Sequence, residues 1–296
     1  MSAPAPERVA VVGVGALGRV LVREFVAVGL GVRAFARDTS GLPDDVAALA
    51  TDELAELARE RFDALVVCVS DRAIGAVAER CAAAGVRAPV ALHTSGCTPP
   101  NLLAPLAGTG AAVGFVHPLA AITAGTQRLD QVPFGLGGDA GAVEVGRALV
   151  ARLGGVPVVV RPDRQARYHA AAALAAGGTV ALAEAARALF ESALDEPADA
   201  LDAVRHLIAS AAANLAEREP AAALTGPFVR GDAATIAAHG RALGAGDPAA
   251  ERARVLAAAL APVLLDLARA RGVASLDPDA IARVFDPPLT EPDADA

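Results

Sequence analysis

Residues 8–18 read RVAVVGVGALG. The Val-rich run Arg8–Val12 breaks off at a glycine, the mark of a short buried strand, and a helix-forming stretch follows from Ala16 to about Val28. Gly13, Gly15 and Gly18 thus stand where a strand turns into a helix. In that setting each glycine has its own task. Gly13 permits the tight turn, Gly15 lets a pyrophosphate approach the backbone, and Gly18 lets helix and strand pack closely. Ala16 and Leu17 open the helix, where free N–H groups and the positive end of the helix dipole favour an anion. The stretch predicts a dinucleotide site at Gly13, Gly15, Ala16, Leu17 and Gly18.

The rest of the first half continues the alternation. Residues 31–36 (GVRAFA) and 64–69 (ALVVCV) read as strands, with further strands at 90–93, 112–116 and 157–160. Strands alternating with helical stretches predict a parallel sheet covered by helices. After Pro162 the pattern changes. Residues 164–192 form an Ala-rich helical stretch interrupted at Gly177-Gly178, and helices are expected at 197–218, 232–243, 248–271 and 278–284. The expected division is 1–161 for the α/β domain, 162–285 for an all-helical domain and 286–296 for an acidic, Pro-rich disordered tail.

Composition narrows the chemistry. The chain has 296 residues, 34 acidic against 26 basic, and a net charge of −8. All 26 basic residues are Arg; there is no Lys. An acidic chain without a basic run is a poor ligand for nucleic acid. The missing Lys excludes Schiff-base chemistry and the phosphate-binding lysine of a Walker loop. Cys68, Cys81 and Cys97 show no metal-binding spacing, so neither a disulfide framework nor a metal site is expected. Residues 88–127 lack Asp, Glu and Arg but are broken by prolines, so they do not form a membrane helix. With no signal-peptide pattern at the start, a soluble cytoplasmic protein is expected.

Cofactor preference is read at the end of the second strand. An NAD site usually places an acid there for the ribose 2′-OH; this chain has Ala36 followed by Arg37 and Asp38. A carboxylate at that place would repel a 2′-phosphate, whereas Arg37 would pair with it, so NADP(H) is expected. Ser70 and Asp71 follow the strand at 64–69 as a helix N-cap, at the sheet edge where open α/β folds bind ligands. His93-Thr94-Ser95-Gly96 and His117-Pro118 end two further strands on that edge.

Five pieces together carry a resemblance: GVGALG (13–18), LHTSG (92–96), HPL (117–119), YHAAAALAA (168–176) and ALTGPFVRGD (223–232), with His239 beyond. They resemble bacterial Rossmann-like NADP-binding proteins with a C-terminal helical domain of unknown function, relatives of ketopantoate reductase and pyrroline-5-carboxylate reductase. The resemblance implies an N-terminal Rossmann doubly wound sheet followed by an all-helical domain that mediates homodimer formation, with a small-molecule substrate in the cleft between them. Association of such proteins with pantothenate synthesis implies 2-ketopantoate as substrate. The chain departs from its relatives twice. Gly177 stands where they carry Asn, and their catalytic Lys has no counterpart. Arg does not replace Lys as a proton donor, because it stays protonated.

Reducing a ketone requires a proton for the forming alkoxide, and His169 is the first candidate, since an ordinary imidazole titrates near neutrality. The bland alternative is a packed or solvated helix histidine. Tyr168 is its neighbour; adjacent helix positions diverge by roughly 100°, which separates the two side chains. His117 and Ser95 are placed to hydrogen-bond substrate or nicotinamide. Arg230 suits a substrate carboxylate, with Thr225 and Asn214 beside it, and Asp232 is read as an N-cap. Three functions remain open: reduction of a small carbonyl acid, reduction of an imine, or an inactive nucleotide sensor or dimer scaffold.

Overall fold

A computed structural model describes residues 6–43, 46–49, 54–123, 125–126, 128–244 and 247–285. The tail expected at 286–296 lies outside the described residues. The chain divides into two compact units, Met1–Ala176 and Gly177–Ala296.

The first unit is built on one eight-stranded sheet. Its strands are β1 (Arg8–Val12), β2 (Gly31–Phe35), β3 (Ala47–Leu49), β4 (Ala64–Val67), β5 (Val90–His93), β6 (Ala112–Pro118), β7 (Pro133–Gly138) and β8 (Val156–Val159). They lie in the order β3-β2-β1-β4-β5-β6-β7-β8. All neighbours pair in parallel except β6 and β7. The helices between them are α1 (Ala16–Ala27), α2 (Leu54–Leu57), α3 (Ile74–Ala83), α4 (Ala104–Ala107) and α5 (Ala140–Arg152).

Because side chains alternate along a strand, the nearly continuous apolar run of β1 serves both faces. Val9 and Val11 join Val20, Leu21 and Phe25 of α1 and Leu149 of α5 in one core layer. Ala10 and Val12 join Leu57, Ile74, Ala78 and Leu106 in the other. Burying each of the larger side chains contributes roughly 1.5–3 kcal/mol, which fixes the strand register. The chain reverses its winding direction between β1 and β4, and their carboxyl ends form the crevice where ligands bind in such sheets.

In the first unit the strands β3 and β7 and the helices α2, α4 and α5 lie outside the sequence expectation. β7 reads PFGLGG, a poor strand by composition. Its glycines answer to close neighbours. A Cβ on Gly137 would come within 2.4 Å of the Phe115 ring, and one on Gly138 within 2.3 Å of the Val113 carbonyl oxygen. The helix expected to open at Asp71 begins instead as a 3₁₀ turn over Asp71–Ala73, and no side chain caps it.

The helix α6 (Gln165–Ala193) runs unbroken through Gly177-Gly178. The flanking alanines are the strongest helix formers and outweigh two glycines costing roughly 1 kcal/mol each. The first unit extends into α6 as far as Ala176, beyond the break in sequence pattern at Arg161. Buried Gln165 donates to the Thr98 carbonyl at 2.6 Å and ties the first turn of α6 to the sheet. Of the residues in α6, Gln165 alone is buried. By length and composition this helix would also serve as a membrane span.

The second unit contains the rest of α6, then α7 (Ala200–Glu217), α8 (Pro220–Ala223), α9 (Pro227–Arg230), α10 (Ala233–Leu243), α11 (Pro248–Ala270) and α12 (Pro278–Val284). Its core gathers Phe228, Ile236, Leu265, Leu276, Ile281 and Phe285. Gly240 lets α10 meet α12, since a Cβ there would lie 2.3 Å from Val284.

Candidate active site

The strand ends of the first unit surround a cavity of about 960 Å³. At its floor β1 turns into α1. Gly13 has φ +100°, and a Cβ on it would lie 2.3 Å from the Cys68 carbonyl oxygen. A Cβ on Gly18 would lie 2.3 Å from the Gly13 carbonyl oxygen. Between these two crowded positions Gly15 faces open space, with nothing within 4 Å of its missing Cβ. Gly15 is also the N-cap of α1 and offers no side chain to the first N–H groups of the helix. Those donors, with exposed Ala16 and half-buried Leu17 beside them, form a cradle for a phosphate group.

One side of the cavity is basic: Arg19, Arg37, Arg72 and Arg80 line it. Asp38 is held away from Arg37. Its carboxylate pairs with Arg19 at 2.9 Å and accepts from the Ser40 backbone N–H at 2.9 Å. The bonds from Ser40, assisted by the Arg19 charge, hold the Asp38 carboxyl below its ordinary range. Arg37 itself is exposed, and no carboxylate among the described residues pairs with it. Ser70 and Asp71 are also exposed on the cavity wall.

Two histidines, His117 and His169, also line the cavity, and a third, His93, lies outside its lining. His93 is fully buried, stacks on Phe115 with ring centroids 6.0 Å apart, and accepts the Ser95 N–H on Nδ1 at 3.2 Å. Burial pushes its pKa down to about 4 against the pull of the Pro99 carbonyl and Asp71. Ser95 lines the cavity, but its hydroxyl oxygen already accepts the N–H groups of Cys97 at 3.3 Å and Thr98 at 3.0 Å. That oxygen shapes the loop; only its hydrogen is left to a ligand. His117 and His169 meet edge to face with centroids 5.7 Å apart, both on the wall. They close over Gly96, where a Cβ would lie 2.7 Å from one ring and 2.8 Å from the other. Burial first, then the neighbouring His169, pushes His117 down to about 4, with Asp71 opposing.

The expected cofactor residues Gly13, Gly15, Ala16, Leu17, Gly18, Arg37, Ser70 and Asp71 therefore share one cavity with Ser95, His117 and His169. Tyr168 is absent from its wall; its hydroxyl lies 2.9 Å from His117 Nδ1 on the sheet side. Asn214, Thr225 and Arg230 belong to the second unit. There Arg230 ends the short helix α9 between Gly226 and Gly231, both at positive φ. Asp232 is the expected N-cap: its side chain accepts the Thr235 N–H at 3.0 Å. His206 on α7 and His239 on α10 are exposed. Arg19, Arg72 and Arg80 were not foreseen as site residues and carried no signal in the sequence, whereas Thr94 and Gly96 lie in the LHTSG strand end that the sequence placed on this edge.

Residues 132–259 match a family model described as a domain of unknown function, DUF2520, which bears out the resemblance drawn from the motifs. Among solved structures, the chain is similar to a protein of Thermotoga maritima at 20% identity and TM-score 0.68, covering 89% of this chain and 99% of that one. It is also similar to a candidate NADP oxidoreductase of Bacteroides fragilis at 23% identity and TM-score 0.65, covering 89% and 97%. A Plasmodium falciparum pyrroline carboxylate reductase with NADP bound matches at 10% identity and TM-score 0.55, over 94% and 98%. At these identities the likeness is one of fold. No curated protein matches the sequence.

Proposed function

We propose that the protein is an NADPH-dependent reductase of a small carbonyl acid, with 2-ketopantoate as the substrate to try first. The observation that carries this reading is the open space at Gly15. It lies between two glycines that their neighbours require, over the uncapped start of α1, in a cavity also lined by two histidines. The similar Bacteroides and Plasmodium structures, one a candidate NADP oxidoreductase and one with NADP bound, support the cofactor.

In this reading the N–H groups of Gly15, Ala16 and Leu17 hold the pyrophosphate, and Arg37 pairs with the 2′-phosphate. Arg19 keeps the Asp38 carboxylate from opposing it. When bound, the cofactor supplies a hydride to the carbonyl carbon. The chain's own work is to orient the acceptor and deliver a proton to its oxygen as the hydride arrives. His169 is the proton donor, and His117 and Ser95 hydrogen-bond the reacting end. A pair of reductases in a dimer completes the picture, and three unpaired cysteines fit a reducing cytoplasm.

One fact favours a second reading. The chain has no Lys, and an imine that arrives protonated places less demand on an acid than a ketone does. A cyclic imine therefore belongs in the same substrate screen.

Titration against NADPH and NADH, followed by nicotinamide fluorescence, tests the cofactor site. NADPH is expected to bind more tightly, and Arg37→Ala to weaken NADPH by about tenfold or more while sparing NADH, as loss of a charge-assisted bond of ~1.5–3 kcal/mol requires. Binding of neither nucleotide would end the reductase reading. Binding without turnover on any keto acid or imine would leave a nucleotide sensor.

A further inference from the structure

Tyr168 precedes His169, yet its phenol turns away from the cavity. It sits half-buried over the β6–β7 pair formed by His117 and Gly135. A Cβ on Gly135 would lie 2.3 Å from the phenol oxygen, so the hydroxyl occupies the space that any other residue at 135 would fill. From this seat the oxygen is 2.9 Å from His117 Nδ1 and 3.4 Å from the His117 carbonyl oxygen. The first distance is a full hydrogen bond; the second is at the outer limit of one. If Nδ1 carried a hydrogen and donated it, the hydroxyl would be left only the long bond to the carbonyl, so the geometry favours the phenol hydrogen on Nδ1.

Protonation states agree with that direction. Burial pushes Tyr168 up to about 12, opposed only by the Gly135 amide, so the phenol keeps its hydrogen. His117, facing Tyr168 and His169 on α6 and the charge of Asp71, is neutral at pH 7. A neutral imidazole that accepts on Nδ1 carries its own hydrogen on Nε2. No other side chain or backbone group among the described residues hydrogen-bonds this ring, which forms part of the cavity wall.

We propose that Tyr168 is a positioning residue that locks His117 in the Nε2–H form, making the ring a fixed, uncharged N–H donor to an acceptor oxygen of the molecule held in the cavity. The ligand's identity rests on the reductase reading; the tautomer does not. An uncharged donor suits a carbonyl or carboxamide oxygen, whereas a carboxylate would draw a cation. The roles of the two histidines then differ: His117 orients the reacting end, and His169 supplies the proton.

Nitrogen NMR of the full chain labelled with ¹⁵N-histidine reads the tautomer directly. The chain has five His, and the His117 signals are those that vanish in His117→Gln. The expected result at pH 7 is a protonated Nε2 and a bare Nδ1, with the ring still neutral at pH 5. Tyr168→Phe is expected to yield a tautomer mixture. Nδ1–H in the unaltered chain, or an unchanged tautomer in Tyr168→Phe, would overturn the proposal. In kinetics, Tyr168→Phe is expected to lower kcat/KM by about tenfold, and to have no effect in a His117→Ala background. An equal loss in both backgrounds would mark Tyr168 as merely structural. The NMR needs no nucleotide, so a chain that binds neither NADPH nor NADH refutes the reductase reading and leaves the tautomer standing.

Discussion

His117 and His169 are the same kind of residue in one cavity, and their surroundings assign them different work. Burial keeps His117 uncharged down to about pH 4, so it does not titrate near neutrality. An acid limb in the rate profile between pH 5 and 8 then belongs to a group other than His117. His169→Ala is expected to lower turnover by roughly 10²–10⁴ with the NADPH dissociation constant unchanged. Steady-state rates and a fluorescence titration on the same preparation check it; an unchanged turnover would remove His169 from the mechanism. The sequence named both histidines from their motifs. It did not show that Gly96 brings them together, because that glycine is 21 residues from one and 73 from the other.

The turn from β1 into α1 separates two reasons for a glycine. Gly18→Ala would drive a methyl group to 2.3 Å from the Gly13 carbonyl, and the contact is with backbone, which yields only by moving the helix. It is expected to destabilise the fold by roughly 1–3 kcal/mol, as overpacking does. Gly15→Ala meets nothing and is expected to leave thermal unfolding unchanged while weakening NADPH binding several-fold. Thermal melts and nucleotide titrations of the two variants check this. Equal binding by Gly15→Ala would mean that the open space holds no pyrophosphate. This element was legible because a Val-rich run, three glycines and a helix former stand in eleven consecutive residues. β7 was not, because its glycines at 135, 137 and 138 make room for Tyr168, Phe115 and the β6 backbone, none of which is local in sequence.

Across the molecule, the helical half leaves much apolar surface uncovered. Leu174 is 76% exposed and Val180 69%, and Leu207 and Leu215 on α7 are each more than half exposed. The edge strand β8 exposes Val156, Val158 and Val159 as well. Surfaces of this kind on a chain that stays in solution are usually covered by a partner. A homodimer is the expected state, with a sedimentation mass of twice the 29.5 kDa chain. Leu174→Asp with Val180→Asp is expected to shift that mass toward the single chain. A monomer at micromolar concentration in the unaltered protein would count against the dimer.

What the sequence determined alone is whatever depends on neighbours along the chain. The α/β alternation, the glycine turn, the Asp232 cap and the change to helices after Pro162 all rest on local spacing and propensity, which eleven to thirty consecutive residues suffice to express. Tertiary structure decided what depends on residues far apart. It placed β7 antiparallel to β6, diverted Asp38 to Arg19, occupied the Ser95 oxygen with backbone N–H groups and turned Tyr168 from the cavity toward His117. Each of these is a choice of partner for a polar group or a filling of space between strands. Such choices are settled only when the sheet brings distant residues within a few ångströms.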